Sequence, residues 1–191
     1  MTALVLVSSS ALDIALGAPT AVMGVLTAAA ALLRKREAPW GLVKQISWGV
    51  LPLVAGLFVV VEALNRTGVV DSLAAVMKQA SQAAPQASAW GAGLLIAFAC
   101  NLVNNLPAGL LAGAAVQTAH ASPAMTAATL IGVDLGPNLS VTGSLATILW
   151  LTALRRENVS VSAWQFLKYG ALVMTPALIA ALAAALWLPP L

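Results

Sequence analysis

A chain of 191 residues with 61% hydrophobic and 8% charged residues, and a mean hydropathy of +0.95, has too few ionised side chains to cover a water-facing surface. A soluble domain would be about a quarter charged. Nine Lys and Arg against six Asp and Glu give a net charge of +3, too thin an excess for a nucleic-acid surface, and one Cys excludes a disulfide framework or a multi-thiolate metal site within the chain. Continuous apolar runs broken by Gly, Pro and Asn, without the alternation of barrel strands, predict an all-α polytopic membrane protein.

Residues 1–33 hold two pieces separated by Asp13 and the turn signal Gly17-Ala18-Pro19. The first is too short to cross a hydrocarbon core of about 30 Å, which takes about 20 helical residues, and reads as a truncated span. The second stops at Arg34, Lys35, Arg36 and Glu37. These charges follow the apolar run instead of preceding it, so no secretory signal peptide is expected. Residues 46–64 predict a transmembrane helix, uncharged as far as Glu62 and anchored at one interface by Trp48. Residues 69–88 mix Asp71, Lys78 and several Gln and Ser with an apolar side at Leu73, Val76, Met77 and Ala80, and predict an interfacial helix.

Within residues 90–120, two apolar runs flank Asn101-Leu102-Val103-Asn104-Asn105-Leu106-Pro107. Each run, at about eleven residues, covers roughly half the hydrocarbon thickness, which predicts a re-entrant helical hairpin. Its polar tip must face protein or a watery cavity. Residues 123–154 predict a spanning helix broken near its middle at Asp134-Leu135-Gly136-Pro137-Asn138, because Pro removes a backbone donor and the Ser and Thr that follow can cap a new helix. Residues 164–188 supply a last crossing, with Lys168 near its start and Trp187 near its end. Arg34, Lys35, Arg36 and Lys44, and Arg155, Arg156 and Lys168, then share the cytoplasmic side.

A hairpin tip and a helix break at the same depth make a binding site from half-helix ends. The half-helices beginning near Ala108 and Ser140 are expected to aim unpaired N–H groups inward, and those ending near Cys100 and Val133 to aim carbonyls. Asn101, Asn104, Asn105 and Pro107 on one break, with Gly136, Pro137, Asn138, Ser140, Thr142 and Ser144 on the other, are the candidate substrate-binding residues. They offer donors and acceptors without permanent charge, suiting a small neutral hydroxylated molecule, an oxyanion, or a cation at the carbonyl ends. The alternative is that these Asn cap helix ends in a packed bundle. Asp134, the one acid near the middle of a long apolar stretch, is the proton-coupling candidate, since desolvation and the helix macrodipole both work against its anion. Its alternatives are pairing with a cation or an Asx cap. Asp13 and Glu62 lie near span ends, Cys100 reads as a small hydrophobe and His120 as an interface residue. No phosphate-binding loop, zinc-protease helix or nucleophile elbow is present, so no enzyme chemistry, cofactor or metal is expected.

The stretch Gly132-Val133-Asp134-Leu135-Gly136-Pro137-Asn138-Leu139-Ser140-Val141-Thr142-Gly143-Ser144-Leu145-Ala146-Thr147-Ile148-Leu149-Trp150, preceded by the Asn101 to Pro107 tip, closely resembles the C-terminal half of the ArsB-type arsenical pump membrane proteins of the ion transporter superfamily. The likeness extends, more weakly, over almost all the chain. It implies efflux of arsenite and antimonite, as neutral trihydroxides, in exchange for protons across a bacterial inner membrane, alone or with a soluble arsenite-stimulated ATPase. The Asn-rich tip alone resembles the superfamily more broadly, which includes sodium/proton and dicarboxylate exchangers. Because that family carries two inverted repeats, the resemblance implies one half of a transporter, completed by a missing N-terminal repeat or by a homo-oligomer, a non-transporting membrane subunit being the other reading. The expected partners are membrane lipid, arsenite or antimonite, and protons, and no nucleic acid.

Overall fold

The computed structural model describes residues 2–35, 40–46 and 48–187, which form two compact units, Met1–Val50 and Leu51–Leu191. The first contains α1 (Thr2–Ala11), α2 (Gly17–Lys35) and the short α3 (Trp40–Gln45), with α1 packed on α2. The chain turns earlier than the Gly17-Ala18-Pro19 signal predicts. Asp13 takes a left-handed φ of 54° and the Ile14 N–H returns to Ser9 O at 2.9 Å. Gly17, Ala18 and Pro19 are the first turn of α2, where a missing N–H costs nothing because it has no intrahelical acceptor. Arg36, Glu37 and Leu188, named in the sequence reading, lie outside the described residues.

The second unit takes α4 (Val50–Arg66), all but its first residue, α5 (Val69–Ala83), α6 (Pro85–Val103), α7 (Asn105–Thr118), α8 (Pro123–Leu135), a 3-10 turn over Gly136–Leu139, α9 (Leu145–Arg156) and α10 (Ala163–Trp187). At the end of α4, Gly68 adopts φ 80° and the chain bends by 67° into α5. Glu62 accepts from Arg66 Nε at 2.8 Å on the exposed surface of α4, remote in sequence from either break. The predicted interfacial helix 69–88 stops at Ala83, because Pro85 lacks an N–H and opens a new helix instead. As a result α6 is 19 residues long, about 28 Å, not the eleven residues that the sequence reading gave this limb. Only the returning limb α7, with 14 residues, stays short of a full crossing.

Contact register fixes the directions of these helices. A Cβ on Gly93 would meet Ala128 O at 2.9 Å, one on Gly132 would meet the Gly93 carbonyl, and one on Gly136 would meet the Ala97 backbone. Asn101 then meets Ser140, 39 residues on, so α6 and α8 run parallel at one constant offset. Since α7 joins them, it runs antiparallel to both, with Gly109 against Val133. α10 runs opposite to α8: Gly170 faces Asn138 O, Leu182 covers Gly93, and Gln86 Nε2 donates to Leu186 O at 3.0 Å. Ala89, Ala97, Met125, Ala128, Met174, Leu178 and Leu182 form the core.

On α6 the small residues lie inside and the large ones outside. Ala89, Gly93, Ala97 and Cys100 are buried while Leu94, Leu95, Phe98 and Leu102 are exposed. That inversion suits lipid, where burying Leu against protein gains little over burying it in acyl chains and close backbone approach does the packing. Among the described residues there is no strand. Among them three helices are long and apolar enough to cross a membrane, or up to four spans if the bent pair α4 and α5 counts as one. The protein is an all-α polytopic membrane protein.

Candidate functional site at the paired helix breaks

The two breaks meet. α6 ends at Val103, and Asn104 reverses the chain with φ 73° and ψ 148°, outside the left-handed helical region and rarely adopted by residues other than Gly. Its Oδ1 accepts from the Leu106 N–H at 3.2 Å, while its Nδ2 donates across to Thr142 O at 3.0 Å. The Asn105 N–H donates to Gly143 O at 2.8 Å. Asn101 makes the densest bridge. Its Nδ2 donates to Ala97 O at 2.8 Å and to Gly136 O at 2.7 Å, and its Oδ1 accepts from the Ser140 N–H at 2.8 Å. Its own carbonyl accepts from Ser140 Oγ at 3.3 Å and Thr142 Oγ1 at 3.4 Å.

The second break closes by the same local logic. Asn138 Nδ2 donates to Leu135 O at 2.9 Å and Asp134 O at 3.4 Å, holding carbonyls that α8 leaves without helical partners. Gly143 packs on the Pro137 backbone, so both glycines of this break sit where a Cβ does not fit. Ser144 caps α9, its Oγ accepting from the Ala146 N–H at 3.2 Å.

This geometry corrects one expectation. The returning half-helix starts at Asn105, not near Ala108, and its first turn aims no spare donors inward. The 105 and 106 N–H groups are used as above, Pro107 has none, and Ala108 N–H donates to Asn104 O at 3.3 Å. Asn104 is at once the cap of α7 and a bridge to the second break, so it consumes what an uncapped end would offer. The later half-helix starts at Leu145, not Ser140; the N–H groups of Leu145 and Thr147 find no acceptor among the described residues.

Of the candidate residues, Pro107, Gly136 and Pro137 are buried, Asn101, Asn104, Asn105, Ser140 and Ser144 half-buried, and Asn138, Thr142 and Asp134 exposed. The Asp134 carboxylate makes no hydrogen bond or ion pair among the described residues, and Asp134 is exposed, as are Leu130 and Asn138. The Asn105 amide is likewise unpartnered, and lines a cavity of about 500 Å³ between α7 and α8 with Gly109, Gly113, Thr126 and Val133. Cys100 is fully buried, and among the described residues no cluster of three His, Cys, Asp or Glu can hold a metal. His120 is exposed in the turn after α7, at φ 48°.

A second cavity, of about 580 Å³, was not foreseen from the sequence. It is lined by Asn138, Trp150, Gln165 and Tyr169 among others, which lie in four separate stretches of chain. The one local signal is the Ser162–Gln165 capping pair that opens α10, with the Ser162 N–H donating to Gln165 Oε1 at 2.9 Å and the Gln165 N–H donating to Ser162 Oγ at 3.1 Å.

Apolar helices, a chain reversal and a helix interruption locked together by amide hydrogen bonds define a multi-pass membrane protein built around paired breaks. The family described as ArsB, arsenical pump membrane protein, matches residues 5–188, and the chain belongs to it. The arsenical pump membrane proteins of Yersinia enterocolitica and of Escherichia coli strain K12 are each 33% identical to it over 141 residues, covering 72% of this chain and 33% of theirs. An uncharacterized transporter of Mycobacterium bovis is 33% identical over 152 residues, 75% of this chain and 35% of its own. The chain thus spans about a third of the length of the curated relatives it matches. No solved structure matches.

Proposed function

We infer that this chain contributes one half of a secondary transporter that exports arsenite and antimonite, as neutral trihydroxides, across a bacterial inner membrane in exchange for protons. The observation that carries the reading is the Asn101 amide, which joins the hairpin tip to the interrupted helix through both of its polar atoms. Convergent helix breaks inside an apolar bundle are the general device for holding a polar solute at membrane depth. The family membership supplies the chemistry of the solute.

Roles divide by what is already bonded. Asn101, Asn104 and Ser140 spend their side chains on the bridge, and Pro107, Gly136 and Pro137 shape it. The unbonded Asn105 amide, the open Oδ1 of Asn138 and the open N–H groups at the start of α9 are left to meet the hydroxyls of the solute, beside Thr142 and Ser144, whose hydroxyls already bond to Asn101 O and the Ala146 N–H. Neutral donors and acceptors bind and release a trihydroxide, whereas a thiolate would retain trivalent arsenic. Asp134 carries the exchanged proton. A second repeat, or a second copy of this chain, covers its exposed face and completes the site; a soluble arsenite-stimulated ATPase is a further partner.

The test is expression in an arsenite-sensitive strain, with and without the remaining part of a family member, and uptake by everted membrane vesicles. Asp134→Asn should abolish uptake driven by a proton gradient, and Asn105→Ala should raise the KM for arsenite. Unchanged proton-coupled uptake in both variants would remove the assignment.

A further inference from the structure

Between α9, the loop over residues 157–162 and α10, the cavity of about 580 Å³ extends along α10 from Gln165 to Ala177. That is about 18 Å at the helical rise, and Asn138, Trp150, Ser160, Gln165 and Tyr169 along it are exposed, so the space is a long open groove. It begins at Ser160 in the loop and passes Asn138 of the second break. No charged residue lines it. The wall is mostly apolar, with a few neutral polar groups facing one volume, which is the composition of a small-molecule site. Two of those groups have one atom committed and one open. Gln165 Oε1 accepts from the Ser162 N–H at 2.9 Å, leaving Nε2; Asn138 Nδ2 donates to Leu135 O at 2.9 Å, leaving Oδ1. The hydroxyls of Ser160 and Tyr169 complete the set. Arg155 and Arg156 end α9 and Lys168 lies in the second turn of α10, so the mouth of the groove is at the positively charged, cytoplasmic end.

We propose that this cavity is a loading vestibule for a small neutral polyhydroxy solute, which it takes from the cytoplasmic side and passes to the break at Asn138. Gln165, Ser160 and Tyr169 are its specificity-determining residues. On the transport reading above, which this inference rests on for its substrate, that solute is the arsenite trihydroxide. A cation is repelled by the positive mouth, and an ion of either sign finds no counter-charge along the wall beyond it. A lipid tail would leave the open amide atoms unmet.

Tryptophan emission of the purified chain in detergent micelles reads binding without requiring transport. Titration with arsenite at neutral pH, and separately with glycerol, should give a saturable change that Trp150→Phe removes. Trp164→Phe, at an exposed position outside the cavity wall, should retain it. Gln165→Leu should raise the half-saturating concentration about fivefold, the loss of one hydrogen bond. In everted vesicles carrying the complete transporter, Gln165→Leu should raise the KM for arsenite to the same extent and leave Vmax unchanged. Saturable binding that needs Trp150, with no uptake, would support the vestibule and refute the transport reading. Absence of a saturable change, a change that survives in Trp150→Phe, or one produced by lysophosphatidylcholine but by neither arsenite nor glycerol, would overturn the vestibule.

Discussion

Replacing Asn101 by Ala tests whether the bridge between the breaks is a structural joint. The substitution removes bonds of 2.8, 2.7 and 2.8 Å to Ala97 O, Gly136 O and the Ser140 N–H. Ala97 O lies inside α6 and keeps its place in the helical ladder, so it loses little. Gly136 O and the Ser140 N–H lose the side-chain partner that the break gives them. Stranding a polar backbone group costs about 1–3 kcal/mol, and polar contacts inside membranes fall toward the lower end of that range. Gly136 O still serves the 3-10 turn, so the Ser140 N–H is the group left stranded, and the expected destabilisation is about 1–2 kcal/mol. Asn105→Ala is the matched control: the same side chain, four residues on, with no partner among the described residues, should change stability by less than about 0.5 kcal/mol. Reversible unfolding in mixed dodecyl sulfate micelles, followed by helical circular dichroism, measures both. Equal tolerance of the two substitutions would refute the bridge as the element that joins the hairpin to the broken helix.

Gly136→Ala should destabilise by about 1–3 kcal/mol in the same assay, because the added Cβ meets the Ala97 backbone, which cannot swing aside; Gly113→Ala, whose Cβ enters open space, should not. Ser122→Ala removes the Oγ that accepts from the Met125 N–H at 3.3 Å at the start of α8 and should cost about 1 kcal/mol, seen as faster hydrogen exchange in the first turn of that helix. Cys100→Ser should leave arsenite resistance intact, since the thiol is fully buried against the bundle and does not line any of the cavities described; loss of resistance, with the protein still in the membrane, would make Cys100 a ligand.

The membrane class was legible because it follows from what the chain lacks: a surface's worth of charge. The breaks were legible because Asn101 to Pro107 and Asp134 to Asn138 place groups in apolar runs that cannot be left facing lipid. What local reading missed was geometry set by partners. The boundary at Pro85 was hidden because Gln and Ser on both sides of it read as one polar helix, and only the missing N–H decides where the new helix starts. The break at Asp13 was legible, but it was read as running on through Pro19, because Pro is equally at home in a turn and in a first helical turn. The division of the asparagines into bonded and free was beyond the sequence. Asn101 and Asn105 differ only in which neighbour, thirty-nine or thirty-eight residues away, comes within reach, and at Asn105 it is the main chain that bonds to Gly143 while the side chain stays open.

The bridge and the helix packing are the same structure. Residues 93, 97 and 101 form one ridge at helical spacing, and residues 132, 136 and 140 form the opposing one at a constant offset. In lipid, where large apolar side chains gain little from meeting each other, this ridge holds because glycine and alanine let one backbone rest on another. At its last step the ridge reaches the place where both helices stop, and there van der Waals contact alone would leave the Ser140 N–H stranded. Asn101 stands at that step, supplies the missing acceptor and donates to Gly136 O as well. The polar site is therefore where the packing ridge ends, and its position in the membrane is set by the same spacing that sets the fold. A side chain too large at residue 97 or 136 would displace the asparagine along with the helices, so damage to the packing and damage to the site cannot be separated at those positions, whereas at Asn105 they can.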